Sequence, residues 1–580
     1  MSRERRALAS HILQSGPQLL RELCGTLSTV STYDYIIVGA GSAGCVLANR
    51  LTENGRYTVL LLEAGGSDRR LWIRMPIGYG KSFYDPRVNW MYRTEPDPAL
   101  GRRQGYWPRG KVLGGSSSIN AMVYIRGQPA DFDEWAALGN PGWSWQDVLP
   151  YFRKLEDSER TPDAWRARGG PVHVSSVSAH LHPLCKTYLQ AGVEAGLRIN
   201  DDFNGATQEG VGLYEITTQN GVRVSAASAY LHPAMKRRNL RVESNAHVTQ
   251  LRFENRRACG VNYQQNGTDH TAEASREIIV AAGAINSPLL LQLSGIGPAA
   301  HLQKLGMFVV HDSPSVGRNL QDHLCIDYLY RSRVPTLNNE LGSWLGKLRA
   351  GLRYVATRGG PLSLSVNQGG GFVRSRPGLD RPNVQLYFSP VSYTRALPGK
   401  RALLSPDAFP GFLLSAQPCR PTSRGHVELR SADPFAQPMI VPNSLANADD
   451  IDDLLEGGAL LRRLASTPAL AAIIDEELQP GAAKQSRDEL LDDIRQRASS
   501  VFHPVSTCRM GSDANTSVVD SRLRVHGLSG LRVIDASVFP AVTSGNTNAP
   551  VMMVAEKGAA MVLEDALSSF LRMREPSGVS

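Results

Sequence analysis

Tyr35-Ile36-Ile37-Val38-Gly39-Ala40-Gly41-Ser42-Ala43-Gly44 is the stretch that decides how this chain folds. A short apolar run, suited to a buried strand, enters a Gly-x-Gly-x-x-Gly turn. Cys45 to Leu51 then has helical spacing, and Tyr57-Thr58-Val59-Leu60-Leu61-Leu62 predicts a second buried strand that stops at Glu63-Ala64. Strand, glycine turn, helix, strand and acid form the dinucleotide-binding fingerprint. Gly39 permits the tight turn, Gly41 lets backbone approach a pyrophosphate, and Gly44 lets helix and strand pack closely. The helix opening at Ser42-Ala43 offers unpaired N–H groups to phosphate oxygens. Glu63 is placed to accept hydrogen bonds from an adenosine ribose.

Two later segments repeat the pattern of an apolar run closed by a small or polar residue. Glu277 to Ala282 ends at Gly283, and Leu531-Arg532-Val533-Ile534 ends at Asp535. Ligands of open parallel sheets bind beyond the carboxyl ends of the strands, so four distant strand ends are expected to converge on one ligand. The expected fold is α/β: a discontinuous Rossmann-like cofactor domain from 32–155, 215–322 and 505–572, plus an α+β domain with a mixed or antiparallel sheet from 156–214 and 323–504. In the latter, Val384 to Phe388 and Gly425 to Leu429 read as strands, and Asp449 to Leu464 as a helix with an acidic start. Residues 1–31 form an N-terminal extension and 573–580 a tail.

At 580 residues the chain is too long for one core. Its formal charge of +9 comes without a dense Lys/Arg block, which argues against nucleic acid while leaving anionic surfaces open. The seven cysteines are scattered, and none has metal-ligand spacing, so no metal centre is expected. Reduced thiols fit a cytoplasmic setting. No window is apolar and long enough to span a membrane. The extension carries Arg3, Arg5, Arg6 and Arg21 among leucines but no continuous apolar core, so it is no secretory signal. It is either an unstructured extension or a weak amphipathic helix touching the inner face of the membrane or a partner. Oligomeric state is not legible.

Arg109-Gly110-Lys111-Val112-Leu113-Gly114-Gly115-Ser116-Ser117-Ser118-Ile119-Asn120 is the second unusual segment. Paired glycines and three serines allow close backbone approach to a ring or phosphate, and the apolar Ala121-Met122-Val123-Tyr124-Ile125 that follows argues for burial. With Gly283 to Gly297, Val316 to His323 and His503 to Gly511, this segment resembles the signature regions of the glucose–methanol–choline (GMC) flavoenzymes. The resemblance runs from about Tyr33 to about Leu571 and is greatest to bacterial alcohol and choline dehydrogenases.

The resemblance implies FAD and oxidation of a primary alcohol to an aldehyde, the hydride passing to flavin N5. His503 would be the general base and Asn546 would hold the substrate oxygen. Imidazole titrates near neutrality, which suits it to take the hydroxyl proton. Around the cofactor it places Arg109, Gly110, Val112, Gly114, Gly115 and Ser116 of the glycine–serine loop, then Asn120, Ala121, Met122 and Val123 by the flavin ring. Asn89-Trp90 touches the cofactor and the Val248 backbone meets the adenine. Ala282-Gly283 and Asp535-Ala536 lie by the pyrophosphate. Asn548-Ala549-Pro550 opens a final helix, with Asn548 as N-cap and Pro550 in the first turn, its positive end toward the flavin. Ile119 occupies the position where some relatives tether FAD through histidine, so the FAD is expected to be non-covalent. Asp322-His323 reads as a structural pair, and Trp143 and Trp145 as core or interface residues.

The electron acceptor implied is a quinone or similar compound, with oxygen not excluded. Lyases of the same fold, cleaving cyanohydrins or decarboxylating fatty acids, are the alternative, and His503 argues against the decarboxylases. Choline dehydrogenase is a second alternative. A flavin-binding scaffold would need no His503–Asn546 pair.

Overall fold

The computed structural model describes residues 31–177, 180–393 and 405–574. In the first of two seven-stranded sheets, Leu240–Ser244, Val59–Glu63, Ser31–Val38 and Thr268–Val280 run parallel in that order. Leu531–Val533 joins the end of Thr268–Val280, also parallel, while Arg257–Gln265 and Ala246–Glu254 continue the sheet antiparallel. Register sets Val38 beside Leu62 and Val280, and Val280 beside Val533. The strands therefore finish level, and Gly39, Glu63, Gly283 and Asp535 open along one sheet edge.

Helices Ser42–Thr52 and Asn548–Arg574 pack on this sheet, with Val46, Leu47, Leu51, Met552, Val554 and Ala555 in one core with Ile36, Ile37, Leu60 and Leu61. Trp143 and Trp145 are buried in the same core, as read. Arg50 and Glu556 pin the two helices through a 2.7 Å ion pair.

The second sheet is antiparallel throughout, in the order Ile474–Gln479, Leu324–Ser332, Gly411–Pro418, Val384–Ser389, Gly369–Val373, Gly210–Leu213, with the short Ser499–Ser500 as the seventh strand beside Leu324–Ser332. Strand side chains alternate between faces. Leu386, Phe388, Leu414 and Ala416 turn into a core with Leu454 and Leu461 of helix Ala448–Ala465. The alternate set, Tyr387, Ser389, Leu413 and Ser415, faces the strand ends of the first sheet across a cavity.

Two boundary expectations need correction. Ser31 is already the first residue of a strand; the rest of the extension lies outside the described residues, as does the tail from 575. The final helix begins at Asn548, and Thr547 is the residue whose carbonyl accepts the first helical bond, from Val551. Thr547 is thus the N-cap by position, and the Asn548 side chain accepts from Ser42 instead.

Candidate active site

The cavity measures about 1300 Å³, above the roughly 300–1,000 Å³ of ordinary small-molecule sites. It has room for a large cofactor and a substrate together. Most residues read from the sequence stand on its wall: Gly39, Gly41, Ser42, Ala43, Glu63 and Ala64 from the first unit, and Asn89, Trp90, Arg109, Gly110, Gly115 and Ser116 from the second. Asn120 to Val123, Val248, Ala282, Gly283, His503, Asp535, Ala536, Asn546 and Asn548 complete the set. Gly44, Val112, Gly114, Ala549 and Pro550 are not on the wall. They stand one layer behind it: Val112 bridges to Gly66, and Ala549 and Pro550 are buried beneath the helix start.

At the dinucleotide end, backbone geometry explains the glycines. Gly39 has φ +99°, and a Cβ on Gly44 would lie 1.8 Å from the Gly39 carbonyl oxygen. Glu63 accepts hydrogen bonds from the Ala40 and Gly65 N–H groups, both at 2.8 Å, and so fastens the turn to the next strand. Burial raises its pKa to about 7. Helices Ser42–Thr52, Gly283–Leu293 and Asn548–Arg574 all start at the cavity wall, a concentration of N–H groups suited to anionic phosphate. Ser42 Oγ donates to Asn548 Oδ1 at 2.8 Å, tying two of these starts together. Asp535 accepts from the Gly283 N–H at 2.8 Å and shapes the third.

The loops do much of their bonding internally. Asn89 Oδ1 accepts from the Met91 and Arg109 N–H groups. Asn120 Oδ1 accepts from Met122 N–H and from Arg223, whose guanidinium also donates to the Ser117 and Ile73 carbonyls. Arg223 was not read from the sequence; a lone buried arginine has no motif. Arg223 leaves only its Nη2 without a partner, whereas Arg109 has both Nε and Nη2 buried with no protein partner, and burial lowers its pKa to about 10. An orphaned buried guanidinium on the wall, glycines where a Cβ would collide, and three helix starts fit an anionic dinucleotide such as FAD. Ile119 is buried in an apolar cluster and offers no nucleophile.

At the other end, His503 is buried in a loop held by left-handed backbone on both sides, φ +71° at Phe502 and +76° at Ser506. Its N–H donates to Asp322 Oδ1 at 2.7 Å, and Asp322 also accepts from Ser500 Oγ. Burial raises the Asp322 pKa to about 6, opposed by Ser500 and Arg109.

His323 of the Asp322-His323 pair is fully buried against His503. Its Nδ1 lies 3.0 Å from His503 Nδ1, and its Nε2 lies 2.9 Å from the Cys419 carbonyl oxygen. A carbonyl only accepts, so His323 Nε2 carries the hydrogen. Burial lowers the His323 pKa to about 4, so the ring is neutral and its Nδ1 is a lone pair. His503 Nδ1 must then be the donor, which leaves the His503 Nε2 lone pair facing the cavity. Asn546 Nδ2 meets that nitrogen at 3.1 Å. Burial, then His323 and Arg109, hold the His503 pKa well below the ordinary imidazole value.

Asn546 is itself oriented. Its Oδ1 accepts from Gln385 Nε2 at 3.4 Å; Gln385 Oε1 accepts from Gln417 at 2.9 Å, and Gln417 Oε1 from the Tyr387 hydroxyl at 3.1 Å. Sequence reasoning missed this relay because both strands are buried on two faces, and isolated glutamines in such runs carry no period.

Two models described as GMC oxidoreductase match residues 33–325 and 421–555. The Pseudomonas putida protein named alcohol dehydrogenase [acceptor] is 44% identical over 535 residues, covering 92% of this chain and 96% of that one. Human mitochondrial choline dehydrogenase is 44% identical over 538 residues, covering 91% and 89%. A structure of Aspergillus oryzae RIB40 formate oxidase, concerned with its FAD modification, superposes with a TM-score of 0.85 at 26% identity, over 93% of this chain and 99% of that one. Fold, site and kinship define an oxidoreductase acting on CH–OH donors. The chain belongs to the GMC oxidoreductase family.

Proposed function

We propose that this protein oxidises a primary alcohol to an aldehyde with non-covalently held FAD, His503 acting as general base and Asn546 positioning the substrate oxygen. One observation carries the proposal: the His503 Nε2 lone pair and the Asn546 amide stand 3.1 Å apart on the cavity wall. FAD, when bound, supplies the hydride acceptor. The residues that would hold it are the Gly39–Gly44 turn, Glu63, Arg109, the Gly114–Ser116 loop and the three helix starts. With the substrate hydroxyl set against both groups and replacing their mutual hydrogen bond, Nε2 takes the proton and Asn546 Nδ2 donates to the oxygen as negative charge builds there. The new imidazolium keeps its Nδ1–H bond to His323. Burial excludes water from the step.

The chain divides accordingly into a cofactor part (32–155, 215–322, 505–572) and a substrate part (156–214, 323–504), a division supported by the two sheets. The kinship with choline dehydrogenases favours choline as a second reading. Purified protein should be yellow, and alcohols and choline are added to it without oxygen. Bleaching by neutral primary alcohols supports the first reading and bleaching by choline alone the second. Cleavage of a cyanohydrin without bleaching overturns both. The speed of colour return in air then separates an oxidase from a dehydrogenase using a quinone-like acceptor.

A further inference from the structure

Of fifteen large apolar side chains exposed among the described residues, five stand on one helix: Trp344, Leu345, Leu348, Leu352 and Val355 of Trp344–Thr357. They are 50% to 73% exposed. At 3.6 residues per turn they share an arc of roughly 100°. The opposite arc carries Ala350 and Tyr354, the two side chains by which the helix is buried on its own protein. Tyr354 donates to the Gly221 carbonyl at 2.9 Å, and Ser343 Oγ caps the first turn by accepting from Gly346 N–H at 3.0 Å. The helix is thus fixed in place with its apolar face outward.

The rim of that face is cationic. Lys347 borders it on one side and Arg349 on the other, Arg353 lies further round and Arg358 just past the helix end, and residues 343–358 contain no acid. Leu71 and Trp72 add a second exposed apolar pair, and Ile73 beside them joins the apolar cluster that holds Ala350. Arg69 and Arg74 flank this pair, and Lys81 Nζ lies 3.7 Å over the Trp72 ring.

We propose that helix Trp344–Thr357 docks flat on an anionic lipid bilayer, its apolar arc in the headgroup–acyl boundary and its lysine and arginines among the phosphates. Tryptophan and long cationic side chains beside an apolar stripe are the chemistry of that boundary. A second copy fits worse, because a two-fold pairing would set each cationic rim against another. The helix lies on the bilayer and does not cross it: no helix among the described residues is long and apolar enough to span a membrane. Ile119 and Met122 of the cavity wall belong to the same cluster as Ala350. An acceptor dissolved in the bilayer would therefore approach beside the cavity; that corollary rests on the proposed reaction, while the docking does not.

The test is flotation of the full-length protein with vesicles of phosphatidylcholine alone or with about one quarter phosphatidylglycerol. The native protein should float with the anionic vesicles and be partly released by salt. Leu348→Asp with Leu352→Asp should lower its partition at least tenfold, and Lys347→Glu with Arg349→Glu should abolish the preference for anionic lipid. Both variants should keep native alcohol turnover with a water-soluble dye, which shows that they fold. The proposal is overturned if native protein stays in solution, or if the leucine variant floats equally well. It is also overturned if gel filtration shows a dimer that the leucine variant splits while neither form binds lipid.

Discussion

A methyl group built on Gly115 would stand 2.7 Å from the Cα of Gly41. The glycine–serine loop thus rests directly on the turn that follows the first strand, two segments far apart in sequence whose backbones touch. Gly115 also has φ +52°, a conformation that costs a residue with Cβ about 1–2 kcal/mol. Gly115→Ala should therefore push the two turns apart where the pyrophosphate is expected to lie. The purified variant should remain folded by circular dichroism while its flavin-to-protein absorbance ratio drops at least tenfold. A variant with a full complement of FAD would show that the two turns do not form the cradle.

Ile119 carries no group able to bond the flavin. Precipitating the native protein with acid should leave all the yellow colour in the supernatant. Colour that stays in the pellet after washing would mean that another residue forms a covalent link.

What the sequence revealed and what it withheld follow one physical line. Gly39, Glu63, Gly283 and Asp535 were legible because each ends an apolar run with a residue the run cannot use, and parallel strands put such residues on one edge. His503 and Asn546 were legible only through resemblance, since neither lies in a periodic element. Asp322-His323 reads as a structural pair, but what the pair supports was not legible, because its partner His503 is about 180 residues away. Gln385 and Gln417 stayed hidden because strands buried on both faces lack the polar alternation that marks a half-exposed one.

His323 meets His503 at Nδ1, the nitrogen opposite the one that faces Asn546. His323→Ala removes the acceptor for Nδ1–H and frees the ring to present that hydrogen on the wrong nitrogen. Losing one buried hydrogen-bond partner costs about 1–3 kcal/mol, so flavin reduction at saturating alcohol should slow by roughly 10- to 100-fold, with KM less affected. His323→Asn, which restores an acceptor, should recover part of the rate. Native rates in His323→Ala would leave His323 with a packing role alone.

Burial of two neutral imidazoles couples folding to acid. His323 titrates near 4 when folded against an ordinary 6.5, and His503 is shifted in the same direction. Between these pH values the unfolded imidazoles bind protons that the folded ones refuse, so their contribution to stability falls as pH drops from 6.5 toward 4 and is flat above, while Glu63 and Asp322, raised to about 7 and about 6, act in the opposite sense. At 1.36 kcal/mol per unit, His323 alone accounts for about 3 kcal/mol across that window. Measured against the native apoprotein, the melting temperature of His323→Gln should gain as pH drops through this range, since only the native chain carries the His323 penalty. The acid limb of kcat/KM should also lie below pH 6.5, since the free enzyme keeps His503 neutral there. A limb at or above 6.5 would remove His503 as the base.

His503 and Asn546 are expected to act on one oxygen, and their energies should not add. His503→Ala removes the proton acceptor and should cost on the order of a hundredfold or more in flavin reduction. Asn546→Ala removes the donor that holds the same oxygen while charge develops, a loss of about 10²–10³ for groups of this kind. If both work on the same alkoxide, the double variant should be slower than either single one by far less than the product of the two losses, because without the base the amide has little charge to stabilise. All three proteins should keep their FAD spectrum. Strict multiplication of the two effects in stopped-flow reduction would separate the residues and leave the substrate oxygen held by something else on the wall.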